Sequence, residues 1–273
     1  MARRRRHNKS RNDRLAGFGF ALVGLALLAA LIGISLWVKS RAIATDEATN
    51  CPLAGPLAVH AIIIDQSDAI SGQQAQQIRQ LLGKVRREAA FGTRFDIYTF
   101  EGNATDELRA KLSICAPGKP EDANALYENP DLVRKNYEEK FVREIDTALD
   151  SLLQTDTLPT SPIIESIRAS SITSFAGTDV APGSLNLTLI SDMIQNSPHL
   201  SQFRSDVAFE KFAQSTAWPS LRPHLGGVTV RILYLMRPEA ARGGKPIQSR
   251  GHQAFWEEFI AASGGSIESF EPL

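Results

Sequence analysis

An uncharged apolar run near the start of the chain is the feature that most limits what this sequence can fold into. Residues 15–38 read LAGFGFALVGLALLAALIGISLWV and contain no Asp, Glu, Lys or Arg. A helix of that length, at ~1.5 Å per residue, extends ~36 Å and crosses the ~30 Å hydrocarbon core of a bilayer with some tilt. Trp37 lies near one end of the run, where interfacial aromatic side chains are common. The run therefore predicts one transmembrane helix.

The charges on either side of this run predict its orientation. Residues 1–14 carry seven Lys or Arg residues and one acid, which leaves 23 basic and 29 acidic residues in the rest of the chain. The positive-inside rule keeps this basic segment in the cytoplasm and places the C-terminal part beyond the cell (inner) membrane, in the periplasm or outside the cell. A cleaved signal peptide and a buried soluble helix are the alternatives, the first because AIA at 42–44 resembles a cleavage site. The net charge of about −6 outside the basic segment argues against nucleic-acid binding, which needs a basic face.

The chain has two cysteines, Cys51 and Cys115. On the non-cytoplasmic side of a membrane, such a pair can persist as a disulfide. Two cysteines without a CxxC motif or a nearby histidine make a poor zinc site. The sequence thus favours a disulfide, with two buried free thiols as the alternative.

Beyond a predicted linker at 39–56, apolar strands alternate with amphipathic helices. Strands are predicted at 57–65, 94–100, 108–114, 184–192, 228–236 and 266–272, and helices at 71–90, 131–153, 163–172, 205–216 and 249–264. This alternation predicts an α/β domain over 57–273, with a Rossmann-like, mostly parallel sheet covered by helices on both faces. In such sheets the ligand crevice lies outside the carboxyl ends of the strands.

Three polar clusters fall at that predicted edge of the sheet. They follow the first strand, open the helix at 163, and follow the strand at 184–191. The clusters are Asp65-Gln66-Ser67-Asp68, Thr160-Ser161 and Asp192. Carboxylate and hydroxyl oxygens are hard donors, which suit Mg²⁺ or Mn²⁺ better than zinc. The pattern predicts a site for one of these ions.

The same three pieces resemble the von Willebrand factor A-type domain. A hydrophobic strand ends in Asp-x-Ser (AIIIDQS), TSPI opens a helix, and LISD closes a later strand. The similarity covers about Leu57 to Leu273. It implies a central sheet with helices on both faces and, in many members, a metal-ion-dependent adhesion site built from Asp-x-Ser-x-Ser, a Thr from a second loop and an Asp from a third. The metal in such sites often binds an acidic residue of a partner protein.

Carried over by position, the resemblance names four metal ligands and two additional candidates. The ligands are Asp65, Ser67, Ser161 and Asp192, and the additional candidates are Thr160 and Asp68. Ala69 falls where the third motif residue, a serine, is expected, so one oxygen ligand of the family pattern is missing.

These observations lead to a non-enzymatic, membrane-anchored protein-interaction module that binds partners through a divalent cation. A scaffold that keeps the fold without the metal is the alternative, and Ala69 favours it. A hydrolase using metal-bound water is a weaker alternative, because the sequence offers no convincing general base.

Overall fold

The computed structural model describes residues 19–34, 36–37, 43–99, 109–123, 129–153 and 160–273. The chain divides into two compact units at the Ala44–Thr45 boundary. In the first unit, helix α1 spans residues 19–34. None of the helices among the described residues combines the length and apolar character needed to cross a membrane. The basic segment 1–14, the ends of the predicted span 15–38 and the start of the predicted linker lie outside the described ranges.

The second unit is built on a six-stranded sheet whose strands are all parallel except one edge strand. Its strands are β1 (Ala58–Ile64), β2 (Thr93–Thr99), β3 (Leu112–Cys115), β4 (Leu185–Ser191), β5 (Val228–Tyr234) and β8 (Ser266–Pro272). Their spatial order is β3-β2-β1-β4-β5-β8, and β3 is the antiparallel strand. A two-stranded ribbon of β6 (Ala241–Arg242) and β7 (Lys245–Pro246) stands apart from the sheet. The strand order reverses between β1 and β4, which is where doubly wound sheets place their ligand crevice.

Helices cover both faces of this sheet and bury two separate apolar clusters. One face carries α2 (Gly72–Glu88), α3 (Pro130–Tyr137), a π-helical turn (Glu138–Val142) and α4 (Arg143–Leu152). The other face carries α5 (Ile163–Ser170), a second π-helical turn (Ser171–Phe175), α6 (Phe209–Ala213), α7 (Trp218–Leu221) and α8 (Arg250–Ala262). The predicted α/β class, with a mostly parallel sheet and helices on both faces, is confirmed. It agrees with the architecture that the resemblance to A-type domains implies.

Local interactions fix the geometry of the first βα unit. Four consecutive apolar residues end β1 fully inside the sheet. Ser71 then caps α2: its hydroxyl accepts from the Gln74 amide at 3.2 Å, and the Gln74 side chain accepts from the Ser71 amide at 3.1 Å. This capping box satisfies two amide groups that the first turn leaves unpaired. It therefore fixes where the chain turns back over the sheet, immediately after the polar cluster at 65–68.

Two predicted elements are shorter than the sequence pattern suggests. The edge strand begins at Leu112, residues 109–111 are not in it, and residue 108, its predicted start, lies outside the described ranges. The helix predicted at 205–216 spans only Phe209–Ala213, and its Phe209 and Phe212 side chains pack edge-to-face against Trp218. The next turn then starts α7 with a proline in its first turn, where a missing amide is tolerated.

The predicted disulfide is confirmed, and it closes the edge of the domain opposite the carboxyl ends of the parallel strands. Cys51 and Cys115 are bonded, and the Cys115 amide donates to the Thr49 carbonyl at 2.8 Å. Cys115 pairs with Arg94 at the start of β2, so this bond lies at the amino end of the parallel strands. The compact unit consequently includes residues 45–56, the second part of the predicted linker.

Candidate functional site

Two aspartates meet at the carboxyl edge of the sheet because their strands are neighbours in register. Ile64 lies opposite Ile190, and the Asp65 amide extends the ladder by donating to the Ile190 carbonyl at 2.8 Å. Asp65 and Asp192 follow the last residues of these two strands and are each only 3 % exposed. The reversal of strand order between β1 and β4 thus brings two buried carboxyl groups close together.

The third polar cluster joins this edge through a short backbone pairing. Ser161 and Asn196 exchange amide-to-carbonyl hydrogen bonds of 3.0 and 2.8 Å. This bridge holds the segment before α5 against the loop that follows β4. The Ser161 hydroxyl then donates to Asp65 Oδ2 at 3.0 Å, although the two residues are 96 positions apart in the sequence.

Asp65 is the centre of the hydrogen-bond network at this site. Its Oδ2 accepts from the Ser161 hydroxyl and from the Ser191 hydroxyl, the latter at 2.6 Å. Its Oδ1 accepts from the Ser67 amide at 2.9 Å. Burial raises the pKa of Asp65, while these donors act to lower it. The Ser161 hydroxyl donates its proton to Asp65 and keeps lone pairs that can face a cation.

Asp192 carries the strongest electrostatic conflict of the site. Burial and the neighbouring charge of Asp65 raise its pKa well above the ordinary value, and one backbone donor, the Ile194 amide at 2.8 Å, opposes them. The neighbouring Asp68 also acts to raise the pKa of Asp192. A divalent cation would remove this conflict, because it offsets two negative charges at once.

A cavity of about 160 Å³ opens over these groups. Its lining includes the five predicted residues Ser67, Asp68, Thr160, Ser161 and Asp192. Asp65 lies beneath it, bonded to two of them. The structure therefore brings all six predicted site residues together.

Three further residues at the cavity went unrecognised in the sequence. Ser191 bonds directly to Asp65, while Asn196 and the 42 % exposed Phe203 line the opening. The sequence could have identified Ser191 as a site residue, since it is the last residue of β4 and precedes the predicted Asp192. Asn196 and Phe203 had none, because tertiary contacts alone fold their loop.

The donor set is of the kind that Mg²⁺ and Mn²⁺ prefer. Among the residues described by the structure, no group of three or more His, Cys, Asp or Glu side chains could hold a metal ion. The oxygens here belong instead to two carboxylates and several hydroxyls, with Asp68 at the margin. Magnesium commonly takes one or two carboxylates and completes its shell with water. The hydroxyl missing at Ala69 leaves a place that water would have to fill.

Helix α8 anchors the loop that carries Asp192. The next residue, Met193, has a left-handed backbone with φ of 59°, uncommon for a residue other than glycine. Its carbonyl accepts from the Trp256 indole at 2.8 Å and lies 3.0 Å from His252 Nε2. Burial lowers the pKa of His252 to about 4, so the ring is neutral near pH 7, and Tyr234 bonds to its Nδ1 at 2.7 Å. These contacts hold the loop in the conformation that points Asp192 toward Asp65.

Comparisons with known proteins give only remote structural likenesses. No protein-family model and no curated protein matches the chain. Among solved structures, it is similar to a von Willebrand factor type A protein from Catenulispora acidiphila, with 14 % identity and a TM-score of 0.33 over 77 % of this chain. The chain spans 42 % of the length of that protein. The strand order of the sheet defines the fold, and the positions of the polar side chains at its carboxyl edge define the candidate site.

Proposed function

We propose that this protein is a membrane-anchored, non-enzymatic interaction module that binds a protein partner through a divalent cation. The observation that carries the proposal is the meeting of two buried, mutually repelling carboxyl groups, Asp65 and Asp192, beneath an open cavity. Buried charges are costly unless they are paired or bind a metal. No Lys, Arg or His among the described residues forms an ion pair with either carboxyl group.

Residues from three segments would hold the cation. Asp65, Ser67, Ser161 and Asp192 are the proposed ligands, directly or through water, with Thr160 and Asp68 as additional candidates. The cation would supply an electrophilic position for an acidic side chain of the partner. The serines would orient Asp65, and Phe203 would offer apolar contact at the rim.

The small cavity favours binding over catalysis. Its volume of about 160 Å³ lies below the ~300–1,000 Å³ typical of small-molecule sites. A single projecting side chain fits such a space better than a whole substrate does. We therefore retain an interaction role, with no catalytic residue, as the proposed function.

A metal-free scaffold is the second candidate, and one observation favours it. Both oxygens of Asp65 already accept hydrogen bonds from serine or backbone donors. With Ala69 in place of a hydroxyl, the network could persist without an ion. The two candidates differ in a measurable way, because only the first gives cation-dependent stability.

Mg²⁺ and Mn²⁺ are expected to raise the unfolding temperature of the full chain in detergent micelles, and EDTA to reverse the rise. A ligand at 100 times its Kd stabilises the folded state by about 2.7 kcal/mol. The rise should vanish in Asp65→Ala and persist in Glu144→Ala, a matched change of an exposed acid on α4. An equal cation effect in wild type and Asp65→Ala would refute this site, and no effect in either would favour the scaffold.

Membrane anchoring through residues 15–38 is the second part of the proposal. It is supported by the uncharged run, the basic segment before it, and a disulfide of the kind found outside the reducing cytosol. The full chain is expected to stay in the membrane pellet after alkaline carbonate extraction, and a chain lacking 15–38 to leave it. Recovery of the full chain in the supernatant would contradict the anchor.

A further inference from the structure

A second, larger cleft lies on the other side of the loop that lines the candidate site. It has a volume of about 500 Å³ and runs between residues 197–207 and the segment 211–217, which includes the end of α6. Asn196 and Phe203 of this loop line the site, whereas Ser201 and Arg204 line the cleft. One short loop therefore separates the two.

The ionisable side chains that line the cleft in the described part of the chain are all basic. Its lining includes Arg204, Lys211 and His199 and no acidic residue within the described part of the chain. Among the described residues, neither Arg204 nor Lys211 takes part in an ion pair. This contrasts with the net negative charge of the chain beyond its basic N-terminal segment.

Nearby acids do not neutralise these groups. Asp206 pairs with Arg242 at 3.0 Å, outside the cleft. Glu210 precedes Lys211 on α6 and so projects about 100° around the helix from it. A local positive potential is left on an acidic domain, and such a patch attracts anionic partners.

The cleft also offers hydroxyl groups around an apolar floor. Its hydroxyl residues are Ser197, Ser201, Ser205, Ser215 and Thr216. Ser215 Oγ is buried and has no hydrogen-bond partner among the described residues. Leu200 and Phe212 line the same space with buried apolar side chains.

Hydrogen bonds hold the loop between the cleft and the candidate cation site. The cleft and the site therefore keep a fixed position relative to each other. The Ser201 hydroxyl donates to Asn196 Oδ1 at 3.0 Å, and the Gln195 amide donates to Gln202 Oε1 at 2.9 Å. The guanidinium of Arg242 also donates to the Gln202 carbonyl. A partner that reaches the site therefore finds the cleft at a constant position.

We propose that this cleft binds an acidic segment of the protein partner, with carboxylates on Arg204 and Lys211, beside the residue that reaches the cation. The inference rests on the proposed function only in taking the partner to be a protein engaged at the adjacent site. Charge complementarity with Arg204 and Lys211, unpaired among the described residues, carries the rest. The partner would then bind at two points, the cation and the cleft. Once one contact has formed, the other forms at a high effective concentration.

A fluorescent hexaglutamate peptide tests the cleft, with the full-length chain in zwitterionic detergent micelles at low ionic strength and anisotropy as the readout. Because the peptide would also bind the basic segment 1–14, every protein compared, the wild-type reference included, carries Gln at the seven Lys and Arg positions of that segment. Arg204→Glu and Lys211→Glu are each expected to weaken binding roughly fivefold to tenfold, in Mg²⁺ and in EDTA alike. Lys84→Glu is the matched control, because Lys84 lies exposed on α2 over the opposite face of the sheet. It should leave the affinity unchanged. Added salt should weaken the wild-type interaction.

The outcomes separate the cleft from the cation site. If all three charge reversals weaken binding equally, or if the wild type does not bind the peptide, the cleft proposal is overturned. The same holds if Arg204→Glu and Lys211→Glu spare the peptide but reduce binding to phosphatidylglycerol vesicles, since the cleft would then recognise lipid. Failure of the proposed function looks different: peptide binding still depends on Arg204 and Lys211, but Mg²⁺ does not raise the unfolding temperature of the wild type and EDTA does not lower it.

Discussion

Replacing Asp192 with Asn is expected to stabilise the protein in EDTA and to leave it less stable than the wild type in saturating Mg²⁺. Without a cation, the folded state must hold a buried carboxyl beside Asp65, and the substitution removes that charge while keeping the shape. With a cation, the same substitution removes a ligand. Loss of a supporting residue alone costs about 10–100-fold in metal affinity, so loss of a ligand should cost more. A change of sign between the two conditions is hard to obtain from any other mechanism.

The pH dependence of this effect has a definite sign. Because the pKa of Asp192 is raised in the folded state, the folded protein keeps a proton that the unfolded chain has released. This stabilisation is complete below the unfolded value of 3.8 and is lost as the pH rises toward the folded value. In EDTA, the advantage of Asp192→Asn should therefore grow with pH, at up to about 1.4 kcal/mol per pH unit in that window. Saturating Mg²⁺ should suppress the trend in the wild type.

Urea denaturation of the full chain in micelles, followed by near-UV circular dichroism at several pH values, measures both effects. Glu144→Gln is the matched control, because it makes the same chemical change on an exposed surface. If Mg²⁺ stabilises Asp192→Asn and the wild type equally, the cation binds elsewhere. If the variant is less stable than the wild type in EDTA at every pH, the carboxyl is structural and the repulsion argued here is wrong.

The sequence predicted the parts of the site that local chemistry determines. Apolar runs that end in aspartate identified β1 and β4. Parallel strands put their carboxyl ends at one edge, so placing Asp65 near Asp192 needed only the strand assignment and their adjacency. The disulfide was equally accessible, because two cysteines allow only one intramolecular pair.

The other parts of the site depend on tertiary contacts, which the periodicity of apolar residues in the sequence does not predict. The loop from Asp192 to Ser205 has neither alternation nor helical spacing. Its shape comes from partners distant in sequence: Ser161, Arg242 and the His252 and Trp256 side chains of α8. Asn196, Phe203 and the basic cleft are consequences of that loop. They became visible only once its tertiary anchors were known, which is why the residues beside the site were missed while its centre was not.

Loss of the disulfide should destabilise the domain strongly without affecting the cation site. Cys51 and Cys115 are 64 residues apart, and closing such a loop restricts the unfolded chain by about 4 kcal/mol in the chain-entropy model. For a domain of this size, that corresponds to a fall in Tm of roughly 8–16 °C. Cys51→Ala/Cys115→Ala and the dithiothreitol-reduced wild type should show the same fall, since both lose one crosslink.

The position of the disulfide makes the second half of this prediction specific. The bond closes the amino edge of the parallel strands, where β3 pairs with the start of β2, whereas Asp65 and Asp192 lie at the carboxyl edge. Distant sites without shared partners contribute additively to stability, within about 0.5 kcal/mol. The Mg²⁺-dependent increment should therefore be the same with and without the crosslink. A smaller increment in the reduced protein would mean that β3 and the site are mechanically coupled through β2 and β1, and that the two edges of the sheet do not act independently.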